Sequence, residues 1–164
     1  MLLITCFIFG LLGSLTWAGP QGRTVCAPDS FAYKYRNQWY CYKFCEDRLS
    51  FEEAEAQCQY KLKGHLASFN SNKQAKLIGA YVTQKNRRND FVWIGFQQDE
   101  GSSGNIEWRW VDGSESTYRK WNSNRPSWTY NDRCAALYPQ SGHVTWYDLD
   151  CSSKYPYLCK WKLA

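Results

Sequence analysis

The sequence predicts a disulfide-stapled α+β domain. Two capped amphipathic helices lie early in the chain, short apolar runs precede and follow them, and cysteines are spread from residue 26 to residue 159. Ser50 opens the first helix with Glu53 three residues on, a capping box, and Phe51, Ala54 and Cys58 share one face. Glu52, Glu53 and Glu55 fall in its first turns, where carboxylates suit the helix dipole. Ser71 opens the second, with Gln74 as the reciprocal cap and Ala75, Ile78 and Val82 pointing inward, and the polar turn 85–90 ends it. Strands are expected at 40–44 and 66–69 around the first helix. The run 91–96 is apolar throughout and fits a central, doubly buried strand. Residues 106–111 alternate and turn at Asp112-Gly113, and 133–138, 144–147 and 157–161 complete the strands. The polar stretch from Gly113 to Cys134 has no periodicity, and a loop that long in a compact domain is usually functional.

Residues 2–12 form an apolar run too short to span a bilayer, and Thr16-Trp17-Ala18 places small residues at a cleavage site. Residues 1–18 are therefore expected to be a signal peptide, 19–25 a short lead-in and 26–164 the domain. No later run approaches the ~20 apolar residues of a membrane span, so the product should be secreted and soluble. Of eight cysteines, Cys6 leaves with the leader, and an exported chain makes disulfides the default state of the rest. No Cys-x-x-Cys pair suggests zinc.

Lysine and arginine number 20 against 15 aspartates and glutamates, a net charge of +5 that suits anionic partners or simply keeps the protein soluble. Acidic glycans, microbial envelopes and anionic lipid or mineral surfaces are the candidate partners. No basic run or RNA-binding signature points to nucleic acid. A Gly-x-Ser-x-Gly elbow, a paired-histidine helix and a phosphate loop are all missing, so no enzyme is expected. Nine tryptophans and twelve tyrosines exceed what a core of this size needs, so several should be exposed. The long loop holds Tyr118, Arg119, Lys120, Trp121, Arg125, Trp128, Tyr130 and Arg133. Tyrosine and tryptophan faces stack on sugar rings, and arginine grips carboxylate, sulfate or phosphate.

Cys134 and Cys151 bracket Thr145-Trp146-Tyr147-Asp148, Cys159 closes Tyr155-Pro156-Tyr157-Leu158, and Trp93-Ile94-Gly95 and Trp108-Arg109-Trp110-Val111-Asp112-Gly113 lie upstream. From Cys26 onward the chain resembles the C-type lectin-like domain. Small secreted members such as regenerating and pancreatic-stone proteins, snake-venom lectin-like proteins and eggshell-matrix proteins are alike in plan. The resemblance implies two helices flanking short antiparallel sheets, a long irregular loop region, and bridges Cys58–Cys159, Cys134–Cys151 and Cys26–Cys41. Cys45 is left over. It is a free thiol, a bond to another chain, or a rival of Cys41 for Cys26; because it precedes the polar turn Glu46-Asp47-Arg48 it is expected near the surface, in a disulfide-linked dimer or a mixed disulfide.

In sugar-binding relatives the long loop holds a calcium ion through an acid or amide, then proline, then Asn or Asp. Arg125-Pro126-Ser127 stands there in this chain. The second ligand cluster, Trp-Asn-Asp in the family, reads Trp146-Tyr147-Asp148. Asp132 and Asp148 remain as weak metal candidates beside a guanidinium, so no cofactor is expected. Pro126 keeps the position at which the family tends to have a cis bond. Asp99, Glu100, Asp148 and Asp150 are expected to be solvated loop carboxylates, His65 a boundary residue and His143 an exposed loop residue. Trp121 and Trp146 lie in family motifs and are expected in the core. The binding set is then Arg125, Trp128, Tyr130, Asp132 and Asp148. It would serve a calcium-independent binder of glycan, anionic surface or protein. The alternatives are a calcium-dependent lectin with atypical ligands and a toxin-like or matrix protein that binds no sugar.

Overall fold

A two-residue hairpin starts the sheet. In the computed structural model, which describes residues 25–100 and 104–164 with the Glu100 side chain excepted, β1 (Phe31–Tyr35) turns into β2 (Gln38–Leu49) at Arg36-Asn37. Both turn residues are left-handed, with φ of 47° and 67°, as a type I′ turn requires. The expected signal peptide, residues 1–18, and residues 19–24 of the lead-in lie outside the described residues. Sequence reasoning began the sheet at residue 40 and missed β1, because no glycine marks this turn.

Helix α1 (Phe51–Leu62) carries the expected capping box. The Ser50 hydroxyl accepts the Glu53 amide at 3.3 Å, and the Glu53 carboxylate accepts the Ser50 amide at 3.1 Å. Phe51, Ala54 and Cys58 are its buried face. Helix α2 (Asn72–Lys85) departs from expectation by one residue. Ser71 caps the Gln74 amide, but the Gln74 side chain accepts from the Asn70 amide at 2.6 Å instead of closing the box on Ser71. Its amide nitrogen donates to the Tyr42 hydroxyl in the core, which fixes that orientation. Ala75, Ile78 and Val82 do face inward.

The expected strand at 66–69 shrinks to β3 (His65–Leu66), after which the backbone continues to donate and accept: the Ala67 amide bonds Leu158 and the Ala67 carbonyl accepts from Gly95 at 2.8 Å. A β-carbon on Gly95 would lie 2.4 Å from the Leu66 carbonyl oxygen, so only glycine permits this approach. The remaining strands are β4 (Val92–Glu100), β5 (Ile106–Trp110), β6 (Asp132–Leu137), β7 (Trp146–Asp150) and β8 (Tyr155–Lys162). They form one eight-stranded sheet in the order β1-β2-β8-β4-β6-β7, with β3 on β8 and β5 on β4. Pairing is antiparallel except where Trp93 of β4 runs parallel to Tyr157 of β8, so the sheet is mixed.

Two apolar clusters flank it. One gathers Tyr42, Phe69, Ile78, Phe96, Trp110 and Trp146, and the other Phe51, Leu66, Trp93, Tyr157 and the buried cysteines 58, 134 and 159. Disulfides join Cys26 to Cys41, Cys58 to Cys159 and Cys134 to Cys151, with Cα separations of 5.5, 5.4 and 5.2 Å. Among the described residues no helix is long and apolar enough to cross a membrane.

His143 corrects the sequence reading: it is 1% exposed. Gly142 and Ser141 beside it read as a surface turn, but the turn folds onto the end of α2. There the imidazole Nδ1 pairs with Thr83 Oγ1 at 2.7 Å, and Nε2 lies 3.0 Å from the Asn86 amide nitrogen. Burial lowers its pKa, against a smaller opposing effect of the Asp90 carbonyl. The unfolded chain then binds a proton more readily than the native one, so stability is full above the unfolded value near 6.5 and falls as pH drops through that range. Urea titrations at pH 7.5 and 5.0 should show this loss in the wild type, and a smaller one in His143→Gln. An equal loss in both would assign the effect elsewhere.

Candidate functional site

The long loop is pinned before it reaches the site. The Ser116 hydroxyl donates to the Phe69 carbonyl at 2.6 Å, and the Trp110 indole donates to the Ser116 carbonyl at 3.1 Å. Trp121 and Trp146 form an isolated parallel bridge in which the Trp146 amide donates to the Lys120 carbonyl and the Asn122 amide to the Trp146 carbonyl, both at 2.9 Å. Trp146 is fully buried, while Trp121 is half-buried and meets Trp108 edge-on at 4.8 Å. Arg119 lies over Phe96 at 4.4 Å, and the Tyr118 hydroxyl reaches Asn72 at 3.1 Å. Tyr118, Arg119 and Trp121 thus serve chiefly to anchor the loop.

Beyond this anchor the residues singled out by sequence converge. Asp148 corrects the expectation of a solvated loop carboxylate: it lies within β7 and is 0% exposed. Its Oδ2 accepts the Ser127 amide at 2.7 Å and the Ser127 hydroxyl at 2.6 Å, while its Oδ1 lies 3.3 Å from the Arg125 guanidinium. Arg125, with its side chain 27% exposed, lays its guanidinium over Tyr147 at 4.1 Å from the ring centroid. Tyr147 is in turn stacked on Tyr138 at 4.4 Å. Asp132, at the start of β6, shares the Ser127 hydroxyl, which lies 3.4 Å away, and accepts from the Thr129 hydroxyl at 2.5 Å. The Arg125–Pro126 bond is cis.

A hard cation needs several oxygens with free lone pairs converging on one point. Here the buried carboxylate is already engaged by an arginine and twice by a serine, and among the described residues no three of the groups His, Cys, Asp and Glu gather. The residues present do not fit calcium. The other candidate carboxylates are elsewhere: Asp99 stands opposite Glu107 in the β4–β5 hairpin, and Asp150 holds the turn at Ser152 through its amide and hydroxyl, which lower its pKa. His65 accepts its boundary role, half-buried beside the Glu55 carboxylate at 3.1 Å.

Trp128 and Tyr130 stand out in solvent, 72% and 80% exposed. Trp128 is left-handed, φ 59°, a conformation costly for a bulky side chain and concentrated at functional loops. The Arg133 guanidinium lies 4.9 Å from the Tyr130 ring centroid, so one cation is already held against that face. Arg125, Asp132 and Asp148 are therefore one cluster, with Trp128 and Tyr130 on the loop segment linking Ser127 to Asp132. Sequence reasoning missed the parts of Ser127, Thr129 and Tyr147. Ser127 and Tyr147 register in sequence only as lost ligands, and the alternation of hydroxyls at 127 and 129 is the single local signal.

Among the described residues Cys45 has no disulfide partner, and the bridge from Cys26 to Cys41 removes one of its three expected states. It lies on β2 opposite Tyr157 and is half-buried, and burial pushes its thiol pKa up. A protonated, packed sulfur is a poor nucleophile.

The comparisons with known proteins agree with this plan. The family model described as the lectin C-type domain matches residues 47–161. Regenerating islet-derived protein 4 of Mus musculus is 35% identical over 93% of this chain and 95% of its own length. A C-type lectin galactose-binding isoform of Hoplocephalus stephensii is 32% identical over 98% of this chain and 97% of its own. Among solved structures, human lithostathine superposes with a TM-score of 0.76 at 28% identity, covering 88% of this chain and 95% of that one. The fold, the bridges and the match over most of the chain place this protein in the C-type lectin domain family.

Proposed function

We propose that this is an exported binding protein, not an enzyme, which engages a glycan, an anionic surface or a protein partner through residues 125–133 without bound calcium. The observation that carries the reading is the state of Asp148. A fully buried carboxylate already paired with Arg125 and doubly bonded by Ser127 has no vacancy for a metal, and the guanidinium adds repulsion at close range. What remains for recognition is an exposed tryptophan and an exposed tyrosine, with Arg133 held against the tyrosine ring, a combination suited to sugar faces and to carboxylate or sulfate. The relatives are lectin-like proteins, which supports binding over catalysis. Export rests on the expected leader at residues 1–18.

A second reading is a calcium-dependent lectin. It draws on the galactose-binding relative and on the juxtaposition of Asp132 and Asp148 across Ser127. A third is a toxin-like or matrix protein that binds no sugar. A glycan array run with calcium and again with chelator separates the three. The proposed reading gives the same bound glycans under both conditions, loss of signal in chelator would establish the second, and a blank array would favour the third.

Dimerisation through Cys45 remains a proposal, and the packing around its sulfur weighs against it. Nonreducing electrophoresis should give a monomer whose single thiol titrates only after denaturation. A reducible dimer band would establish the interchain bond.

A further inference from the structure

We propose a second ligand site, a cleft of about 800 Å³ that takes an acidic saccharide bearing sulfate or carboxylate groups. Strand β8 forms its floor between β2 and β3, where Lys160 stands opposite both Tyr42 and His65, and Lys162 opposite Tyr40. The β1–β2 turn forms one wall with Tyr35 and Arg36, and residues 112–118 form the other. The volume falls within the range of small-ligand sites.

Its charge distribution is what calls for a ligand. Arg36, Lys63, Lys160 and Lys162 border the cleft against the carboxylates of Asp112 and Glu115. Asp112 is committed within the protein: it accepts from the Ser68 hydroxyl, accepts the Ser114 amide at 2.9 Å and lies 4.0 Å from Lys160. Lys160 is committed as well. It is 8% exposed, donates to the Ser68 hydroxyl at 2.9 Å and sits 4.6 Å from the Tyr40 ring centroid, and burial lowers its pKa. Arg36, Lys63 and Lys162 have no ion-pair partner among the described residues and are exposed. Three cations without a carboxylate partner, Arg36 among them lying 5.2 Å from the Tyr35 ring centroid, border one concave surface and focus a positive potential into it.

The lining selects the rest of the ligand. Hydroxyls of Ser114, Thr117 and Tyr35 can both donate and accept, as sugar hydroxyls demand, while that of Tyr118 is donated to Asn72 and is left to accept. Its walls are mostly polar, which suits a saccharide better than an acyl chain. This site shares no lining residue with the loop at 125–133, so failure of one leaves the other standing.

The test is calorimetry and amide NMR in chelator, with a sulfated uronic-acid tetrasaccharide and its desulfated counterpart. The sulfated probe should bind and shift the amides of Lys63, Thr117 and Lys162, and the desulfated one should bind more weakly. Arg36→Ala with Lys162→Ala should lower affinity tenfold or more while leaving the fold intact, because both side chains are exposed. Arg125→Ala with Trp128→Ala should leave binding in the cleft unchanged. The proposal is overturned if the sulfated probe does not bind, if both probes bind equally, if shifts confine themselves to residues 125–133, or if the cleft variant binds as the wild type does.

Discussion

Removing the Cys58–Cys159 bridge by paired alanine substitutions should cost about 4.7 kcal/mol on the chain-entropy model for a loop of this length. The bridge closes 101 residues, against 17 for Cys134–Cys151, which the same model values at about 3 kcal/mol. It also ties α1 to β8 inside the second apolar cluster, where Cys58 and Cys159 are buried beside Trp93 and Tyr157. A domain of this size has about 5–15 kcal/mol in all, so between about a third and nearly all of its stability goes with the bridge. Urea unfolding should show the variant largely unfolded at 37 °C. A loss below about 1 kcal/mol would mean that the β2–β8 ladder alone holds the chain ends, and that the loop-closure argument fails for this protein.

The second large effect is a gain. Arg125→Glu with Ser127→Asn and Tyr147→Asn removes the guanidinium, its aromatic platform and the serine that engages Asp148, and supplies three oxygen ligands in their place. The anchor at Trp121 and Trp146 lies outside these changes, so the loop should keep its path. Calcium affinity should rise by at least tenfold, about 1.4 kcal/mol or more. No gain would count against the geometry assigned to residues 122–132. The opposing effect is strain: loss of Arg125 and Tyr147 also removes packing on Tyr138, so the variant's urea midpoint is measured alongside.

Much of the fold can be read from local rules because the chain uses local devices. Ser50 and Glu53 mark the start of α1 within four residues, and the apolar run at 91–96 announces β4 without any partner in view. Errors arise where tertiary contacts decide. Gln74 turns from Ser71 to Asn70 because Tyr42, thirty-two residues away, takes its other end. His143 is drawn inside by Thr83 of α2 and by Asn86, the residue that caps its C-terminus. The site follows the same division. The residue types at 125, 127 and 148 announce an altered metal site, but only the fold reveals that Arg125 and Ser127 occupy the Asp148 carboxylate across a separation of more than twenty residues. The cleft beside Lys160 has no motif at all, since its cations come from β1–β2, the end of α1 and β8.

The central claim is that the paired carboxylate leaves no room for calcium. A calorimetric titration of the wild-type protein with calcium chloride, at neutral pH and after exhaustive chelation, tests it most directly. The structure predicts no saturable heat in the micromolar range. A micromolar site that disappears in Asp148→Ala would contradict it, and would show that Arg125 yields its carboxylate to the ion.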